Sequence, residues 1–296
     1  MCVPVDISEE KGPAMPPESI DLTEFPADDP GRRLNLLFIH HSCGGQWFAP
    51  VGADKGIDCI YQTAANGGGL RDRLTVAGYD VHEASYKSLV GNQTDIFDWL
   101  PKFRDHMEEV LTCDHQDTFY DDGRRNQVVM FKPCFPNNFF LGEGIPPGSP
   151  EGPELTVQNA KAAYDSLLPL FAAEPGTLFV AVTAPPLAAQ STPLWKAAAK
   201  RVLGRPSLRT SGPYARKFNN WLKDRESGWL SSYQGTNVVV FDLYDILTDF
   251  GASNFSRYPT GRLRNDSHPS SEGNWKAAEA FVPFLNRAVR RAGIVE

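Results

Sequence analysis

Apolar residues gather into short, nearly unbroken runs, separated by longer stretches with helical spacing. The first run, LNLLFIH at 34–40, reads as a strand buried on both faces and ends at HSCGG, a polar turn rich in glycine. Residues 79–84 read as a second strand, QVVMFK at 127–132 as a third and TLFVAVT at 177–183 as a fourth. The fourth stops at Pro185 and Pro186, which cannot continue a central strand. TNVVVFD at 236–242 reads as a fifth. Helical spacing predicts helices at 69–77, over most of 94–111, at 156–172, near 213–225 and at 271–292. In the first, Leu70, Leu74 and Ala77 share a face; in the last, Ala277, Ala280, Phe281, Phe284 and Ala288 do. Residues 114–126 read as a charged loop, and a long irregular insertion follows Pro186. Strands alternating with helices predict a three-layer α/β/α domain around a five-stranded parallel sheet.

The hydrophobic pattern begins late. Residues 1–33 are polar and proline-rich, an extension that cannot nucleate a core, and residues 34–296 form the folded domain. Charge adds little. The net value is −7 and no lysine–arginine run occurs, so nothing predicts a grip on nucleic acid. No stretch approaches the roughly 20 apolar residues of a transmembrane helix. The five cysteines are odd in number and form no C-x-x-C pair, which argues against a zinc ribbon or a dense disulfide framework. Cys2 heads the extension. As given the chain reads as cytoplasmic; a lipid-anchored cysteine on a flexible tether, exported with its signal peptide removed, would look the same.

Ligands of a parallel α/β sheet bind beyond the carboxyl ends of its strands. The residues there are His40, His41, Ser42, Cys43, Gly44 and Gly45 after the first strand, and GNQT from Gly91 after the second. PCFPNN, with Asn137 and Asn138, follows the third, and NDSHP, from Asn265 to Pro269, precedes the last helix.

In order and strand context these blocks resemble the SGNH, or GDSL-like, hydrolase superfamily over roughly residues 34–290. The resemblance implies a flavodoxin-like strand order for the sheet. The resemblance puts Ser42 in the nucleophile position and His268 in that of the base. It makes Gly91 and an asparagine, Asn137 in preference to Asn138, oxyanion-hole donors together with the Ser42 amide. The sequence departs from the family in two places: His40-His41 stands where the family has Gly-Asp, and the carboxylate expected three residues before His268 is Asn265, with Asp266 two before. The third triad member is thus Asp266 by charge or Asn265 by orientation.

The chemistry is consistent with these residue types. A serine hydroxyl needs a base within hydrogen-bond reach, histidine has the right pKa, and a third group must hold the other ring nitrogen. The resemblance implies a serine ester hydrolase needing no cofactor, with a small-molecule or polysaccharide ester as substrate and a carbohydrate O-acetylesterase as the leading case. His41 and Trp47 are candidate substrate contacts, and Trp195, Trp229 and Tyr258 fall in predicted loops where rings could stack on sugars. His40 and His41, adjacent on a strand, point to opposite faces and make poor metal co-ligands. Two alternatives stay open: a glycoside hydrolase on the same fold, for which no second carboxylate is identifiable, and a non-catalytic carbohydrate-binding protein. Oligomeric state is not legible.

Overall fold

The computed structural model describes residues 21–189 and 208–296. Strands β1 (Leu34–Ile39), β2 (Tyr79–Ala84), β3 (Val128–Phe131), β4 (Leu178–Val182) and β5 (Val238–Phe241) lie within the predicted runs. They form one sheet in the order β2-β1-β3-β4-β5, with every neighbouring pair parallel. The order reverses beside β1, so β1 and β3 leave the sheet at a switch point, where the loops after them diverge and open a crevice.

Side chains alternate across the sheet, and two cores result. Leu37, Ile39, Val129, Phe131, Phe179, Ala181, Val238 and Val240 face one side. They meet helices α3 (Trp99–Asp105), α4 (Met107–Thr112), α5 (Val157–Asp165), α6 (Leu168–Ala172) and α7 (Leu208–Lys223). Leu36, Phe38, Met130, Val180, Val239 and Phe241 face the other side. There they meet α1 (Cys43–Phe48), α2 (Leu70–Val76), α8 (Leu243–Leu247) and α9 (Ser271–Arg291). The result is a three-layer α/β/α fold of flavodoxin-like strand order.

Several elements depart from the sequence pattern. The helix expected at 156–172 is two helices, because the Pro169 ring would clash with the carbonyl four residues earlier. The stretch 94–111 is a short 3-10 turn at Ile96–Asp98 followed by α3 and α4, with a break at His106. The helix expected near 213 starts at Leu208 and holds Pro213 inside it. The charged loop contains a two-stranded ribbon, Cys113–His115 with Thr118–Phe119. The glycine-rich turn after β1 is helical as α1. Glycines there have poor helix propensity, but Gly44 is needed, since a Cβ on it would lie 2.4 Å from the Cβ of His40.

Residues 21–33 are fastened to α9. Leu22 is buried in the core on that side, and Asn286 and Arg290 donate to the carbonyls of Ala27, Asp28 and Asp29. The readings of Cys2 and Trp195 fall outside the described residues. Among the described residues, no helix is long and apolar enough to cross a membrane.

Candidate active site

Ser42 follows β1 by three residues, at the edge where the switch point lies. Its backbone sits at φ 37° and ψ −91°, a conformation that a non-glycine residue holds only under constraint. Ser42 occupies the N-cap of α1, where its carbonyl accepts from Gln46 N–H, yet its hydroxyl does not cap the helix. The hydroxyl is instead 2.7 Å from His268 Nε2.

His268 lies on a short strand, Asp266–Pro269, paired antiparallel with Pro259–Thr260. On an extended strand residues i and i+2 share a face, so Asp266 and His268 project together. Asp266 Oδ1 is 2.6 Å from His268 Nδ1 and also accepts the backbone N–H of His268 at 3.1 Å. Burial opposes ionisation of Asp266. The two hydrogen bonds from His268, its charge and a hydrogen bond with Thr260 outweigh it and hold the carboxyl below the usual range. An acceptor at Nδ1 fixes the proton there and leaves Nε2 to receive the serine proton. Asn265, the other candidate, is exposed, and the hydrogen-bond partner of Nδ1 is the carboxylate two residues before His268 instead.

The segment carrying His268 is clamped on both sides. The buried Ser267 hydroxyl accepts from Ala188 N–H, just beyond β4. The Pro269 carbonyl accepts from the side-chain amides of Asn66 and Asn274. The Phe135 ring stands edge-on to the imidazole, centroids 5.0 Å apart. Phe135, Ser267 and Pro269 lie in the polar blocks that the sequence singled out, whereas Asn66, Ala188 and Asn274 were not legible beside the site. Asn66 and Pro269 are 203 positions apart, and no local pattern announces such a contact.

The two histidines before Ser42 are held differently. His40 is fully buried and donates from Nε2 to Glu83, which Arg71 also binds. His41 donates from Nε2 to the Gly91 carbonyl at 2.8 Å and stacks on Tyr86. Because that carbonyl can only accept, Nε2 carries the proton. Burial pushes the His41 imidazole down to about 4, so it is neutral at neutral pH.

Three expected oxyanion donors are committed elsewhere. Gly91 N–H donates to Ser88 Oγ. The Asn137 amide donates to Asp95 and to the Cys134 carbonyl, while its oxygen accepts from Ile96 N–H, so Asn137 ties the loop after β2 to the loop after β3. The Asn138 amide donates to the carbonyls of Ala184 and Pro185. These asparagines satisfy buried loop backbone, which is costly to leave unpaired. The Ser42 amide, beside the hydroxyl, is the remaining donor of the expected set. Trp47 is likewise corrected: it is 1% exposed, stacked on Phe241 and edge-on to Phe281, and contacts no open cleft. Trp229 is buried too, its indole N–H given to the Tyr164 carbonyl.

Among the described residues, no group of three or more His, Cys, Asp or Glu side chains is arranged to hold a metal ion. Comparison with protein-family models, curated proteins and solved structures gave no match.

Proposed function

We propose that the protein is a serine ester hydrolase. One observation carries the reading: the unbroken chain from Ser42 Oγ to His268 Nε2 and from His268 Nδ1 to Asp266, at 2.7 and 2.6 Å. In this reading His268 Nε2 takes the Ser42 proton as Oγ attacks the acyl carbonyl. The imidazolium is stabilised by Asp266, and the Ser42 amide faces the developing oxyanion. His268 then returns the proton to the leaving alcohol, and water cleaves the acyl-enzyme by the same route. The strained Ser42 backbone supports the reading, since such conformations concentrate at functional positions. An acetylated carbohydrate as substrate rests on the SGNH resemblance alone.

The test is labelling with a fluorophosphonate probe beside turnover of an aryl acetate and an acetylated sugar. Wild-type protein labels on Ser42 and releases acetate, whereas Ser42→Ala does neither and keeps its melting temperature. Turnover retained in Ser42→Ala overturns the nucleophile. Aryl acetate hydrolysis without preference for the acetylated sugar removes the carbohydrate substrate and leaves the hydrolase.

A further inference from the structure

Two cysteines flank the serine–histidine pair, and the proposed chemistry uses neither. Cys43 directly follows Ser42 and is buried. Cys134 follows β3 and precedes Phe135, whose ring packs on His268. The strands they follow are neighbours, with Ile39 in register with Phe131, and both thiols are free with sulfurs 3.6 Å apart. A disulfide needs about 2.05 Å between sulfurs, so closure is a shift of about 1.5 Å. Cys134 is the less buried of the two residues.

We infer that Cys43 and Cys134 form a thiol-modification site that reacts with hydroperoxides and, by closing to a disulfide, disables Ser42. The two sulfurs are chemically unequal. The hydrogen bond shared with Cys43 lowers the Cys134 thiol; burial opposes this, and the charge of the buried Lys132 and the backbone N–H groups of Cys43 and Phe135 add to it. Burial raises the Cys43 thiol instead. Cys134 is therefore the attacking thiolate and Cys43 the resolving thiol.

The steps balance with a hydroperoxide as oxidant. The Cys134 thiolate attacks the peroxide, the O–O bond breaks, and Cys134 becomes a sulfenic acid with release of hydroxide, or alkoxide from an alkyl hydroperoxide. Cys43 sulfur then attacks the Cys134 sulfur. The S–O bond breaks, and the departing hydroxide takes the Cys43 proton and leaves as water. Two thiols are oxidised to one disulfide and the peroxide is reduced. A dithiol reductant reverses the step by exchange.

Inhibition follows from position. Drawing Cys43 toward Cys134 pulls on the strained peptide of Ser42, and drawing Cys134 moves Phe135 against His268. A displacement of about 1 Å in a reacting group can cost about 100-fold in rate.

The site is tested on the full chain in two arms. Reduced protein is titrated with hydrogen peroxide, then alkylated and peptide-mapped. The expected product is a Cys43–Cys134 cross-link, formed before oxidation at Cys59 or Cys113 and reversed by dithiothreitol. In Cys43→Ala the reaction stops at a Cys134 sulfenic acid that dimedone traps. No cross-link, or oxidation spread evenly over the other cysteines, overturns the site. The second arm rests on the hydrolase reading: aryl acetate turnover and fluorophosphonate labelling fall about tenfold or more on oxidation and return with reductant, while Cys134→Ser resists. Peroxide inactivation that persists in Cys134→Ser, or a cross-linked enzyme at full activity, overturns the inhibitory role. A protein that cross-links but hydrolyses no ester, even when reduced, refutes the hydrolase and leaves the thiol site.

Discussion

At the scale of single residues, Asp266 and Asn265 separate charge from orientation. The hydrogen-bond partner of the imidazole Nδ1 is Asp266 and not Asn265. Asp266→Asn should lower kcat by about 100-fold or more, since an amide carries no charge to stabilise the imidazolium and can turn its NH2 toward Nδ1, which selects the wrong tautomer. Asn265→Ala should change it by less than about threefold, within the range of an ordinary surface substitution; parallel kinetics on the two variants decide. His41 makes a second prediction, on stability. Its imidazole titrates near 6.5 when unfolded and is held down to about 4 by burial in the fold. Between these values the unfolded chain binds a proton the native state does not, so its contribution is full above about 6.5 and is lost as pH falls toward 4. Urea unfolding across that window should show His41→Phe losing up to one proton of slope, about 1.4 kcal/mol per pH unit. An unchanged slope would mean that His41 is protonated in the native state.

At the scale of elements, what the sequence concealed has physical causes. Buried parallel strands declare themselves as apolar runs, and all five were legible, as were the helical stretches that cover them apart from α1 and the short α8. Helix α1 was not, because CGGQWF carries two glycines whose value lies in close approach, Gly44 to His40 and Gly45 to Cys59 and Tyr61, rather than in helix propensity. Trp47 follows from that miss: on a loop it would be available to a sugar, on α1 it is core. Trp47→Ala should cost about 3–5 kcal/mol by chemical denaturation, whereas a ligand platform would raise KM and leave stability alone. The order of the polar blocks brought Ser42 and His268 together correctly. It misdirected the donors, since Gly91, Asn137 and Asn138 spend their N–H groups on loop backbone and neighbouring side chains. A sequence shows that an amide is present at a strand end and is silent on which acceptor claims it.

At the scale of the whole molecule, the far end of the sheet is tied by buried charge. Lys223 on α7 pairs with Asp242 at 2.7 Å and with Asp245, and Arg216 joins Asp245, Thr248 and the Ser253 carbonyl. Breaking such a cluster leaves uncompensated charge in the interior, so Asp245→Ala should cost about 3–5 kcal/mol, measured by urea denaturation. A loss below about 1 kcal/mol would mean that solvent reaches the cluster. The hairpin that carries His268 behaves differently. Asp266 and His268 sit two residues apart on one strand, bonded to each other through both ring and backbone. They travel as a single part, so hairpin movement carries the Asp266–His268 pair toward Ser42 or away from it without parting the two. On the hydrolase reading the site therefore has one joint, the 2.7 Å contact between Ser42 and His268, and opening that joint would act as a clutch that stops turnover while leaving the Asp266–His268 pair intact.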